Sequence, residues 1–277
     1  MLADYHVHSE FSFDSTYDIE QVIVDAINLG LDEICFTDHV DYGVSIDHDE
    51  PIEKAFVYNG RVFLNVDYPK YFEKIEYLQN KYKEKITIKK GLEFGVQIHT
   101  IDSYEYLFET YPMDFVILSN HQVDNTDFAL PMYWENKTQI EGNRYYYQSL
   151  LDVMKKYKNY SVLGHLDYPL RYDPNGKCPF EHYQDLVQEI LKQAIKDNKG
   201  IELNMSYIRY NIGDLTPSKQ IFKLYKQLGG QIITIGTDSH SPEHLGRNIE
   251  LGKQELKELG FNEFCTYENM KPIFHKL

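Results

Sequence analysis

Cysteine, arginine and long apolar runs are all scarce in this 277-residue chain, and each scarcity removes a class of protein. The three cysteines, Cys35, Cys178 and Cys265, stand far apart and form no CxxC pair, which argues against a disulfide framework and against a thiolate metal site. Cys35, inside EICFTDH, reads as a small buried hydrophobe. Lysine and arginine together number 28 against 43 aspartates and glutamates, a formal charge of -15. That balance argues against nucleic acid as a partner, because such binding needs clustered cations facing phosphates. The one lysine-dense stretch, Lys81 to Lys90, is interrupted by Glu84 and apolar residues, and reads as a solvated helix end running into a strand. No apolar run approaches the ~18 residues that cross a bilayer. The opening MLADYHVHSEF has neither the basic nor the apolar segment of a secretory signal, so the expectation is a cytoplasmic protein with no membrane partner.

What the chain does contain is a regular alternation. Short runs rich in Val, Ile and Phe alternate with segments of helical period, the pattern of repeated strand–helix units around a mostly parallel sheet. The length suits a single α/β barrel, so one domain over residues 1–277 is expected. Seven runs read as strands: Ala3 to His8, Glu33 to His39, Ile86 to Gly95, Phe115 to Gln122, Val162 to Asp167, Gly200 to Ser206 and Gln231 to His240. Between the first two, Asp18 caps a single apolar face formed by Ile19, Val22, Ile23, Ala26 and Ile27, and Gly30 supplies the stop. Further helices are expected over Tyr71 to Tyr82, Ser103 to Tyr111, Asn143 to Tyr157, Glu181 to Asp197, Pro217 to Leu228 and Asn248 to Leu259. Pro217 suits a first helical turn, where its missing N–H costs nothing. Two connections, residues 40–68 and 123–142, are long, aromatic and acidic, and are expected as rim insertions, either a substrate lid or variable surface. Of the 24 tyrosines, the cluster Tyr145, Tyr146 and Tyr147 reads equally as packing or as pocket wall.

Nine potential metal ligands sit at or just beyond the ends of these runs: His6, His8, Asp14, His39, Glu93, His121, His165, Asp238 and His240. Residues in that position on parallel strands of a barrel converge on one mouth. His6 and His8 lie two apart on a strand and share a face, as do Asp238 and His240 in TDSH, so each pair is able to hold one ion. In FTDH, Asp38 and His39 are adjacent and point opposite ways; His39 is taken as the ligand and Asp38 as a supporting or catalytic acid. Asp14 in SEFSFDS is by itself an ordinary turn residue and gains weight only from its neighbours. Glu93, His121 and His165 each end a strand of their own. His48, His99, His182, His244 and His275 read as surface, with His244 a weaker pocket candidate because it follows TDSH.

With HVH, Asp14, FTDH, GLEFG, SNH, GH and TDSH in this order along the whole chain, the sequence resembles the polymerase and histidinol phosphatase (PHP) superfamily of metal-dependent phosphoesterases, most closely its histidinol-phosphate phosphatases. The resemblance implies a distorted (β/α)7 barrel, TIM-like, with a trinuclear site at the C-terminal ends of the strands. It implies one ion on His6, His8, Glu93 and Asp238, a second on Glu93 as a bridge with His121 and His165, and a third on Asp14, His39 and His240. All nine positions are filled. The implied activity is hydrolysis of L-histidinol phosphate in histidine biosynthesis.

The chemistry asks for such a site. Phosphate monoester hydrolysis needs acceleration of up to ~10²¹, whereas a lone general base supplies about 10² to 10⁴. Closely spaced divalent ions lower the pKa of a bound water toward about 7 and clamp both attacking and leaving oxygens. Three divalent ions against three carboxylates leave the site positive and suited to a small phosphomonoester, while the overall negative charge repels large polyanions. His and carboxylate donors without thiolate suit Zn, Mn or Fe alike. Among the five arginines, Arg209 after the sixth strand is the first choice for holding phosphate and Arg171 the second. The insertions offer aromatic rings and carboxylates for the imidazole and the ammonium of the substrate. The competing functions are another PHP activity (a broad phosphomonoesterase, a phosphotyrosine phosphatase or a nuclease) and a non-catalytic metal-binding module.

Overall fold

The computed structural model describes every residue from Met1 to Leu277. Seven strands, β1 (Ala3–Val7), β2 (Glu33–Phe36), β3 (Thr87–Gly95), β4 (Phe115–Ser119), β5 (Val162–Leu163), β6 (Gly200–Asn204) and β7 (Ile233–Gly236), pair in parallel in chain order. The last meets the first across a parallel bridge between Val7 and Ser239, where His8 N donates to Ser239 O at 2.8 Å and Ser239 N to His6 O at 3.2 Å. The result is a nearly closed parallel barrel. Its strands are buried along almost their whole length, as FVILS in β4 and ITIG in β7 require: both faces are covered, so the sequences are continuously apolar rather than alternating.

Helices cover the outside: α1 (Ile19–Asn28), α2 (Tyr68–Tyr82), α3 (Ile101–Thr110), α4 (Gln139–Lys156), α5 (Gln184–Lys196), α6 (Lys219–Gln227) and α7 (Ile249–Glu258). Their starts follow local chemistry. Asp18 accepts from Gln21 N at 2.8 Å, and Thr138 and Glu141 close a reciprocal capping box at α4. Ile19, Val22, Ile23 and Ala26 form the buried stripe of α1, and Gly30 takes the left-handed backbone (φ 76°) just past its end.

The strands are shorter at their C-terminal ends than the apolar runs suggested. β2 stops at Phe36 and resumes only as the pair His39–Val40 beside Glu93 and Phe94 of β3; β5 is two residues long; β7 ends at Gly236, before TDSH. The polar residues at these ends leave the ladder and turn into the mouth. Pro217 is not in a helical turn: it precedes the Ser218 cap, across a cis Thr216–Pro217 bond, and α6 begins at Lys219. Of the tyrosine cluster, Tyr146 and Tyr147 are buried packing residues, Tyr147 stacking on Tyr183 with centroids 4.6 Å apart.

A C-terminal hairpin, β8 (Glu263–Glu268) and β9 (Lys271–Lys276), was not anticipated. It closes the end of the barrel opposite the mouth: Met270 N donates to Asp114 O at 2.9 Å, and the Tyr267 ring lies 5.0 Å from that of Phe115. Both insertions lie on the mouth side. The first carries a short hairpin (Val57–Tyr58 with Arg61–Val62), and the second carries Gln122–Val123 paired with Thr126–Asp127 and then a helical turn at Pro131–Trp134. Residues 139–142, expected in the second insertion, are already the first turn of α4.

Closure depends on one close approach. A Cβ at Gly236 would run into the His6 Cβ and stand 2.9 Å from the His6 backbone nitrogen, so only glycine lets β7 lie against β1. Gly236→Ala is therefore expected to lower stability by about 1–3 kcal/mol, seen as a shift of the urea midpoint, because neither backbone is free to move.

Candidate metal centre

The nine sequence-selected ligands meet at the mouth, and Glu93 is their hub. Its Oε2 lies 3.1 Å from His39 Nδ1, 3.2 Å from His6 Nε2 and 3.5 Å from His8 Nε2. Its Oε1 lies 2.9 Å from His165 Nε2 and 3.1 Å from His121 Nε2, and accepts from Ser119 Oγ at 2.6 Å. Asp238 Oδ1 forms a second pole, 3.6 Å from His240 Nδ1, 3.7 Å from His8 Nε2 and 3.8 Å from His6 Nε2. Asp14 Oδ2 forms a third, 3.2 Å from His240 Nε2 and 3.6 Å from His39 Nε2.

TDSH reaches this point differently from the expectation. Asp238 is not on a strand but takes a left-handed backbone (φ 56°), and this turn, not strand alternation, brings both Asp238 and His240 inward.

The donors fit a cation cluster better than they fit one another. His6 Nε2, His8 Nε2, His39 Nδ1, Glu93 Oε2 and Asp14 Oδ1 are buried without a hydrogen-bond partner, a costly arrangement unless cations lie between them. Ligand atoms of His6, His8 and Glu93, and of Glu93, His121 and His165, lie within 4.8 Å of one another. So do those of His6, His165 and Asp238, and of His8, His39 and His240, which makes the boundaries between sets less sharp than the resemblance implied. Asp41, which the sequence did not single out, joins His39 and His121 in a further group.

On their own, the imidazoles and carboxylates hold one another ionised: against their burial, His6 is pushed well above the ordinary imidazole value by Glu202 and Glu93, and His39 by Asp14 and Glu93. Burial raises the cost of ionising Glu93, yet His6, His121 and His39 outweigh it and hold the carboxyl well below its ordinary range. Asp238 is likewise depressed against its burial by Arg171 and His6, and Asp14 by His240 and His39. His8 is pushed well below the ordinary imidazole value by burial and by His240 and His39, which leaves it neutral and ready to ligate.

Three of the imidazoles have a partner on the nitrogen facing away from the cluster, which fixes the ring, whereas His165 Nδ1 is buried without one. His6 Nδ1 meets Glu202 Oε2 at 2.8 Å, His121 Nδ1 meets Asp41 Oδ1 at 2.9 Å, and His8 Nδ1 meets Ser12 Oγ at 3.1 Å. Asp38 stands behind this layer. Its oxygens accept from Ser9 N (2.7 Å), Ser9 Oγ (3.0 Å) and Ser12 Oγ (2.8 Å), and it is fully buried away from the cleft. Of the two roles expected for Asp38, these contacts suit the supporting one: it orients the loop carrying Ser12, and through Ser12 the His8 ring.

Over the cluster lies a cavity of about 260 Å³ lined by Arg61, Arg171, Arg209, Tyr168, Tyr172, Tyr210 and His244 together with ligand side chains. Arg171, with 4% of its side chain exposed, pairs with Asp238 Oδ2 at 2.9 Å, and its guanidinium lies over Tyr210 (4.6 Å) and Tyr168 (5.2 Å). Its Nε is buried and unpartnered. Arg209 donates to the carbonyls of Thr237 (2.8 Å) and Asp238 (2.7 Å), and so braces the turn that presents Asp238. A second cavity, of about 480 Å³, shares Asp14, His39, Arg61 and His121 and extends to Phe13, Tyr58, Phe63 and Asp127. Burial pushes the Asp127 carboxyl up to about 6.

Residues 4–206 match the PHP domain. This chain is a member of the PHP domain family. It is 34% identical, over 97% of its length and 95% of the relative's, to a protein named histidinol-phosphatase from Lactococcus lactis subsp. lactis. It is 30% identical, over 100% of both chains, to a probable histidinol-phosphatase from Thermotoga maritima. The crystal structure of histidinol phosphate phosphatase from Lactococcus lactis, complexed with zinc, L-histidinol and phosphate, superposes with a TM-score of 0.85 at 31% identity over 98% of each chain.

Within this PHP site, four contributors escaped the sequence reading: Asp41, Arg61, Asp127 and Glu202. Glu202 had a readable signal, an acid in the middle of the fully buried strand GIELN; the other three lie on the insertions or at their edge, where no period marks them. Glu202 accepts from His6 Nδ1, from His165 N (2.6 Å) and from Asn204 Nδ2 (2.9 Å). An amide there has one acceptor fewer, and relief at His6 requires the tautomer with its proton on Nε2, the atom facing Glu93. Glu202→Gln is therefore expected to weaken metal retention roughly 10- to 100-fold, measured by chelator competition, with the far-UV spectrum unchanged.

Proposed function

We propose that this chain hydrolyses L-histidinol phosphate to L-histidinol and phosphate, using divalent cations held by the nine residues at the barrel mouth. The observation that carries the reading is the pairing of a cluster of buried donors that lack hydrogen-bond partners with a wall of three arginines directly above it. The Lactococcus lactis relative, with zinc, L-histidinol and phosphate bound, supports the same substrate for this chain.

In this reading one ion takes His6, His8, Glu93 and Asp238, a second takes Glu93, His121 and His165, and a third takes Asp14, His39 and His240. Zinc is the first candidate; manganese and iron share the same donor preferences. The bound ions supply a hydroxide at neutral pH and charge neutralisation at the phosphoryl group. The residues of the chain do the rest. Glu93 and Asp238 hold the cluster together, Arg171 lines the cleft where phosphate oxygens would lie, and Tyr168 and Tyr210 hold its guanidinium in place. Arg209 combines bracing of the Asp238 turn with a face on the cleft. No helix is long and apolar enough to cross a membrane, and the three buried, unpaired cysteines suit a reducing cytoplasm.

A nuclease reading is disfavoured by the net charge of -15, and a non-catalytic reading by the completeness of the ligand set. The deciding measurement is kcat/KM of the metal-loaded protein for L-histidinol phosphate against p-nitrophenyl phosphate, a phosphotyrosine peptide and a short oligonucleotide. A preference of about 10²-fold or more for histidinol phosphate is expected. Flat rates sink the substrate, and no turnover with metal in place favours the binding module. Chelation is expected to abolish activity and zinc or manganese to restore it. Arg209→Ala is expected to lower kcat/KM roughly 10²-fold, and a variant with unaltered kinetics removes Arg209 from the phosphate clamp.

A further inference from the structure

The cleft has two chambers of different character. The one over the donor cluster carries Arg171 and Arg209, with Arg61 on the wall common to both, and suits phosphate. The other is walled by aromatic rings from the first insertion and holds a carboxylate from the second. Phe13 stacks on Phe63 with centroids 4.3 Å apart, and Tyr58 lies on the same wall. Asp127 is placed by backbone pairing, not by a loose loop. It stands opposite Gln122 in a short antiparallel ladder, and the next residue, Phe128, donates its N–H to His121 O at 2.9 Å. One Asp127 oxygen accepts from Ala129 N at 2.7 Å, which orients the carboxylate. A carboxylate is thus fixed one residue along the ladder from a ligand of the cluster, beside an aromatic wall.

The geometry of the substrate proposed above meets this arrangement in order. In L-histidinol phosphate the ammonium is on the carbon next to the ester-bearing carbon, and the imidazole lies beyond it. With phosphate on the cluster, the ammonium falls beside the cluster and the ring extends away from it. We propose that Asp127 is the specificity-determining residue that pairs with the ammonium of the leaving alcohol, while Tyr58 and Phe63 take its imidazole ring. This rests on the histidinol phosphate reading and assigns to Asp127 the selectivity that the metal cluster, which sees only phosphate, is unable to supply.

The test compares Asp127→Asn with the parent on three phosphomonoesters: L-histidinol phosphate, its analogue lacking the amino group, and p-nitrophenyl phosphate. Asparagine keeps the size and the acceptor for Ala129 N while removing the charge, and metal content serves as the control for an intact site. The expected result is a loss of roughly 10- to 100-fold in kcat/KM for histidinol phosphate, carried mainly by KM. The loss on the deaminated analogue and on p-nitrophenyl phosphate is expected to be at least about ten-fold smaller. Equal losses on all three overturn the proposal, since they mark a general structural role; so does a parent-like preference in the variant. A parent protein with no preference for histidinol phosphate removes the underlying reading, and the inference with it, before the variant is made.

Discussion

A single carboxylate, removed from water and surrounded by imidazoles, sets the terms for the rest of this molecule. Glu93 is fully buried and lies within 3.5 Å of ring nitrogens from His6, His8, His39, His121 and His165. A buried carboxylate costs several kcal/mol unless positive charge and hydrogen bonds replace the lost water. The barrel supplies both by register. β3 runs for nine residues, and at its mouth end Glu93 is flanked by His39 on one side and Ile117 on the other. The strands that bring His121 and His165 follow in order around the same rim. Were β3 to slip by one residue, Leu92 or Phe94 would replace the hub and the ligands would lose their shared centre.

The same constraint explains the charge distribution. Of the 43 acidic side chains nine are buried, and the others reach the surface at least in part, where solvent screens them. Inside the mouth, three arginines of the five in the chain face the cleft, and two of them lean on Asp238. The anionic surface and the cationic clamp act on different objects: the first turns away polyanions, and the second, at contact distance, favours a small dianion already within the cleft.

The barrel and the nine residues that meet at its mouth were legible in the sequence because both depend on local order: apolar runs of strand length, and ligand-type residues at their ends. The resemblance to the PHP family then sharpened a list of donors into expected sets. What remained hidden depends on contacts far apart along the chain. The sequence left Asp38 either a supporting or a catalytic acid, because its role depends on Ser9 and Ser12 of the preceding loop, to which the carboxylate turns once the strand ends at Phe36. Pro217 looks like a first-turn residue until its cis bond places it ahead of the cap. The C-terminal hairpin has strand-forming residues, but only Asp114, Phe115 and Tyr5 at the barrel floor give it a reason to pair. Asp127 is one acid among many in an insertion, and its position follows from a two-residue ladder that no periodicity announces.

The seam between the first and last strands shows how fold and site share one set of interactions. Asp4 is buried in β1 and accepts from Thr237 N at 2.9 Å, Thr237 Oγ1 at 2.5 Å and Gly246 N at 3.0 Å. It therefore ties the barrel's first strand to the turn that presents Asp238 and His240. Gly236, one residue earlier, lets that turn approach His6. Closing the barrel and assembling the cluster are consequently the same event: His6 and His8 on one side of the seam meet Asp238 and His240 on the other only when it shuts. Cations that bind this cluster bind the closed barrel and not the open chain, so their free energy of binding adds to its stability by mass action. A site with so many buried donors lacking hydrogen-bond partners is tolerable to the fold because the ions that complete the chemistry also complete the barrel.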